Sequence, residues 1–81
     1  MKKESLLEEM AQSIVSGDKE EAIILAREAL QQSLDLQEVI EKGYVQGIQK
    51  VGELWAKGEY FLPELIASAE CMKAAMDLFR P

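Results

Sequence analysis

Three of the five aromatic residues, Trp55, Tyr60 and Phe61, fall in the short stretch LWAKGEYFLPE (54–64), together with Leu54, Leu62, a glycine and a proline. Apart from the Tyr60 phenol, such side chains move no protons. What they offer is stacking, van der Waals cover and exclusion of water. The groups that would do other chemistry are scarce. Cys71 is the single cysteine and there is no histidine, so a Cys–His or Ser–His–Asp arrangement cannot be assembled within the chain. Cys71 reads as a small hydrophobe. Glu8, Glu9, Glu20, Glu21, Glu28, Glu38 and Glu41 suggest carboxylate metal ligation at first sight. A di-iron helical bundle, however, supports its carboxylates with Glu-x-x-His pairs, so these glutamates are expected on solvated faces. Met10, Met72 and Met76 recur at core spacing and read as core filler, and Lys73 and Arg80 as helix C-terminal cations.

The bulk properties narrow the partners. The chain has 81 residues, a net charge of −6 and a pI near 4.6, so one small domain is expected. That charge argues against nucleic acid, which needs a basic face, and against an anionic membrane surface. No apolar run approaches a membrane span, and the two lysines at the start precede no signal-like segment. An unpaired cysteine fits a reducing compartment, so a cytoplasmic protein is expected.

The elements that must position the aromatic stretch are helices. Leu6, Leu7, Met10, Ala11, Ile14 and Val15 form one stripe at helical spacing. Gly17 is placed to end that helix. Asp18, with Glu21 three residues on, predicts a capping box for the next, which carries Ala22, Ile23, Leu25, Ala26, Ala29 and Leu30. Asp35 and Glu38 repeat the signal. The third and longest helix carries Leu36, Val39, Ile40, Tyr44, Ile48, Val51, Leu54 and Trp55, and Lys57 and Gly58 close it. Pro63 suits the first turn of a fourth helix bearing Leu65, Ile66, Ala69, Met72, Met76 and Phe79. Short connections then predict an all-α, antiparallel four-helix bundle over 1–81, built as two hairpins. Gly43, Gly47 and Gly52 lie inside the third helix. Close approach of a neighbouring helix is the expected reason, with Ala67, Ala69, Ala74 and Ala75 as the matching small residues of the fourth; the alternative is a backbone surface kept flat for a partner.

On this plan Trp55 sits in the last turn before Gly58, and Leu62 and Leu65 in the first turn of the next helix, so all three meet at one pole. Tyr60 and Phe61 staple the joint, and Phe61 is expected to pack back on the first turns of the fourth helix. These side chains could simply close off the bundle end as core, and Trp55 could cover the core while still presenting a face. Yet more apolar groups crowd this pole than so small a bundle can bury, which points to an apolar platform for a flat partner or cofactor.

The run VGELWAKGEYFLPELIASAECMKAAM, with VIEKGYVQGIQKVGELW before it and the weaker GDKEEAIILAREAL and Pro81, resembles the helical cap domain that precedes the cobalamin-binding domain in corrinoid proteins. These include cobalamin-dependent methionine synthase, the corrinoid subunits of methanol and methylamine methyltransferases, and related light-sensing repressors. The resemblance covers essentially the whole chain, and the glycine-glutamate and leucine-proline-glutamate pattern around the joint is its most specific part. It implies a non-catalytic four-helix cap over the upper axial face of the corrin, shielding the cobalt–carbon bond. It implies that Trp55 takes the place of the aromatic over the axial ligand, often phenylalanine in the methionine synthases. Leu62 would flank that ligand, Leu65 add a further apolar contact, and Glu64 reach the corrin edge. The family's following α/β domain carries an aspartate-x-histidine-x-x-glycine motif whose histidine ligates cobalt. No such motif occurs here, so the chain is expected to be an excised cap or one without its partner domain, binding cobalamin only together with that domain. The partners implied are the cobalamin-binding α/β domain and methyltransferase subunits. A methanol or methylamine system is expected over methionine synthase because the segment begins near an initiator methionine. The alternative is a stand-alone helical interaction or dimerisation module, whose uncovered apolar end would self-associate.

Overall fold

Three turns with the same backbone wiring set where the helices stop. The computed structural model describes residues 2–80, so the expectations attached to Met1 and Pro81 lie outside the described residues. The first helix, Lys3–Ser16, ends at Gly17, which is left-handed at φ 71°. Its N–H donates to the Ile14 carbonyl and the Asp18 N–H to Ser13, the paired bonds of a Schellman motif. The second helix, Lys19–Gln31, ends the same way through Ser33 and Leu34, whose N–H groups donate to Leu30 and Ala29. Here a serine holds the left-handed position, at φ 56°. The third ends at Gly58, φ 77°, with Gly58 donating to Trp55 and Glu59 to Leu54.

The caps are simpler than expected. Asp18 accepts from the Glu21 N–H at 3.1 Å. Its own N–H is committed to Ser13, so the reciprocal half of the capping box is not made. Asp35 caps through the Gln37 N–H at 3.1 Å, while Glu38 accepts from Lys3 at 2.8 Å and from Lys42 at 3.4 Å. Lys3 holds the Glu38 carboxyl below the usual range, and Glu38 in turn raises the Lys3 ammonium.

The third helix runs over 36–56 in three pieces: α-helical Leu36–Val39, a π turn at Ile40–Tyr44, and α-helical Val45–Ala56. In the π turn the Val45 N–H reaches back five residues to the Ile40 carbonyl. The extra residue rotates the rest of the helix, so that Gly47 and Val51 face inward and Ile48, expected on the core stripe, lies outside. The fourth helix is Leu62–Phe79, with Pro63 in its first turn. Among the described residues the chain is all helix and turn, a four-helix bundle.

The helices pack across the bundle more than along it. The most extensive pairings join the first helix to the third and the second to the fourth. The first and third run parallel: Lys3 pairs with Glu38, and further along Gly43 lies against Leu7 and Met10 and Gly47 against Ala11 and Ile14. Gly43 and Gly47 thus permit close approach as expected, but of the first helix rather than the fourth. Gly52 permits none, since a Cβ there would meet nothing within 4 Å.

The core consists of Leu6, Met10, Ile14, Ala22, Leu25, Ala26, Ala29, Val39, Tyr44, Val51, Cys71 and Ala75, with Met72 and Met76 partly buried against it. Tyr44 is the largest fully buried side chain. Its hydroxyl donates to the Ala22 carbonyl at 2.8 Å, its ring meets Phe79 edge-on at 6.2 Å, and burial pushes its phenol far above the usual range. The fourth helix is turned from the expected face: Ser68, Cys71 and Ala75 point inward, while Ile66 and Ala69 point out. Arg80 pairs with Asp77 across an exposed 3.7 Å contact, whereas Lys73 lies short of the last turn.

The apolar rim at the third-to-fourth helix joint

The joint is fastened to the end of the first helix from both sides. The last carbonyls of any helix lack intrahelical partners. Here the Ser68 hydroxyl, from the fourth helix, donates to the Ile14 carbonyl at 2.7 Å. The Tyr60 hydroxyl, from the joint, donates to the Val15 carbonyl at 2.6 Å. Gly17 closes the gap, its Cβ position lying 3.1 Å from the Ala67 Cβ. Tyr60 therefore holds the joint by a hydrogen bond to the first helix rather than by the apolar staple expected across the turn. Sequence reasoning missed Ser68; a serine flanked by Ala67 and Ala69 in an otherwise apolar helix was its signal.

Phe61 does not pack inward. It is 63% exposed, because its extended backbone at the helix start aims the ring away from the bundle. Its N–H donates to the Glu64 Oε1 at 2.7 Å, which fixes the entry to the fourth helix. Glu64 thus sits exposed at the rim with one oxygen already engaged.

The remaining side chains form an uncovered apolar rim. Trp55 is 51% exposed, Leu62 61% and Ile66 51%. Leu65 is partly buried and rests on the core, a floor beneath the others. The structure therefore brings Trp55, Leu62 and Leu65 to one pole, as the spacing suggested, and adds Phe61 and Ile66 to it. The opposite pole is polar, held by the Lys3–Glu38–Lys42 cluster. A cleft between the second and fourth helices is lined by Lys19, Glu70, Lys73, Ala74 and Asp77 and includes no rim residue. Cys71 is buried, and burial pushes its thiol up, so it is no nucleophile for the rim. Among the described residues no cluster of carboxylates and thiols has the arrangement of a metal site, and no helix is long and apolar enough to cross a membrane.

A surface of this make-up can do one thing well. It can lie against a flat, apolar face, keep water off it, and ask for no hydrogen bond in return.

Comparison with known proteins identifies the setting. Residues 6–80 match the model of a B12 binding domain. The chain is 40% identical over 77 residues to a corrinoid protein of Desulfitobacterium hafniense, covering 95% of this chain and 36% of that one. It is 42% identical over 79 residues to trimethylamine corrinoid protein 2 of Methanosarcina acetivorans, covering 98% and 36%. The solved monomethylamine corrinoid protein of Methanosarcina barkeri superposes with a TM-score of 0.92 at 26% identity, over 96% of this chain and 37% of that one. The chain thus spans just over a third of the length of these relatives, and its four helices and rim coincide with the matched segment: it belongs to the B12 binding domain family, as the helical cap domain of a corrinoid protein.

Proposed function

We propose that this bundle covers the upper axial face of cobalamin in a methyl-carrying corrinoid protein of a methyltransferase system, and that it is not itself catalytic. The observation that carries the reading is the exposure of Trp55 and Leu62 at a pole with an apolar floor at Leu65. These residues fit the group. When bound, cobalamin supplies a cobalt-held methyl, which has no hydrogen-bonding atom to satisfy. Trp55 would offer a broad face to it, Leu62 would flank it, Leu65 would support both from the core side, and Glu64 would be free to reach the corrin edge with the oxygen not engaged by Phe61. Together they exclude water and stray reactants from that face. A cover held by apolar contacts can also be lifted when the methyl group is passed on. The cofactor is gripped mainly by a cobalamin-binding α/β domain, with this bundle as its lid, and methyltransferase subunits reach the same face in turn. The proposed setting is the cytoplasm, consistent with the unpaired Cys71.

The test joins this chain to the remaining two thirds of the Desulfitobacterium hafniense relative in place of that protein's own helical segment, loaded with methylcobalamin. The rate at which light cleaves the cobalt–carbon bond is read from the spectrum. Trp55→Ala should leave the helices folded: a fully buried tryptophan costs about 3–5 kcal/mol on truncation, and this one is half exposed. Photolysis should accelerate several-fold, because radicals escape more readily and water enters more freely once the apolar cover is thinned. Unchanged photolysis, or outright unfolding, refutes the assignment. The same exposed pole supports a second reading, a module that dimerises through the rim. Light scattering of the chain alone at several concentrations, with and without Trp55→Ala, tests it.

A further inference from the structure

Gly52 is a helix-interior glycine that the fold itself does not require. Glycine at such a site costs up to ~1 kcal/mol relative to alanine. Gly43 and Gly47 repay that cost by admitting the first helix, whereas a Cβ on Gly52 would touch nothing within 4 Å. Its backbone lies within an unbroken α-helical run, so no left-handed turn demands it either. The place of Gly52 is nonetheless particular. Ile48, Gly52 and Trp55 succeed one another at four and three residues, on one exposed face of the third helix. Leaving the same joint, Leu62, Ile66 and Ala69 repeat that spacing on an exposed face of the fourth. Each stripe is about 10 Å long at 1.5 Å per residue. Gly52 therefore leaves bare, uncovered helix backbone one turn before Trp55 on that face.

We infer that Gly52 is a positioning residue for the cofactor: its missing side chain lets the corrin ring seat against the third helix behind Trp55. This rests on the proposed cap reading and deepens it. The occupant is the macrocycle rather than a second copy of the chain, because Gly52 shares the exposed face of Trp55, which the cap reading assigns to the corrin, and the chain belongs to the B12 binding domain family. A rigid flat ring tilts if a methyl group stands under one edge. A helix side chain of a second copy would repack around it.

The experiment uses the same methylcobalamin-loaded hybrid with Gly52→Ala, Gly52→Leu and Trp55→Ala, and records both thermal melting of the chain and the photolysis rate. Gly52→Ala is expected to melt at the same temperature or higher, yet to photolyse several-fold faster, with Gly52→Leu faster still. A structural glycine would instead lower the melting temperature, and that result overturns the inference. Unchanged photolysis for both Gly52 variants, while Trp55→Ala accelerates it, also overturns the inference and leaves the cap reading standing. Unchanged photolysis for all three overturns both.

Discussion

Gly47→Ala tests the packing that holds the rim in place. An added Cβ would lie 2.6 Å from the Ala11 carbonyl oxygen, 2.8 Å from the Ile14 Cβ and 3.1 Å from the Ala11 Cα. Two of those atoms are helix backbone and cannot rotate away. A carbon meets a carbonyl oxygen comfortably at about 3.3 Å or more, so the first and third helices must part by roughly 0.7 Å. Overpacking of this kind costs ~1–3 kcal/mol, and better helix propensity returns at most ~1 kcal/mol. A net loss of about 1–2 kcal/mol corresponds to a fall in Tm of roughly 5–15 °C for a domain of this size. Thermal and urea melts followed by circular dichroism would measure it, with Gly52→Ala alongside as the substitution that meets no neighbour. A Gly47→Ala protein as stable as the parent would show that the first and third helices are not in close backbone contact, and their packing as described would fail with it.

The same packing makes two further outcomes testable. Tyr60→Phe removes the hydroxyl bonded to Val15 and should cost about 0.5–1.5 kcal/mol, with faster amide exchange at 58–61 than elsewhere; uniform exchange would show that the bond does not anchor the joint. Cys71 should react slowly with a thiol reagent in the folded protein and quickly once urea unfolds it. Burial raises its folded pKa above the unfolded value, so its contribution to stability is complete below about pH 8.5 and declines as pH climbs through the unfolded and then the folded value. Melts at pH 7 and above pH 9 check the sign, and a rise in stability over that interval would contradict it.

Much of this architecture was legible because turn residues carry strong local signals. Gly17, Asp18, Asp35, Gly58 and Pro63 each mark a boundary that the structure honours. The end at Ser33 had no such mark, since a serine in the left-handed region is held by the bonds around it rather than by its own preference. The face of the fourth helix was misread because alanines surround it: with Ala67, Ala69, Ala74 and Ala75 on several sides, the apolar pattern points weakly. Ser68, polar by type, is buried by virtue of a bond to a helix end 54 positions away. Ile48 was misplaced by the π turn, which no residue type announces. The pairing of first with third and second with fourth depends on contacts distant in sequence. The chemistry of the rim was legible from Trp55, Leu62 and Leu65. Its extent was not, because Phe61 and Ile66 face outward by backbone direction and helix rotation, which composition does not encode.

The paired bonds from Tyr60 and Ser68 to the tip of the first helix bear on how such a cover would open. With each arm of the corner pinned to a third element, the aromatic pole cannot peel back like a flap while the remaining helices stay put. On the proposed cap reading, uncovering the cofactor would then call for the four helices to move together as one block.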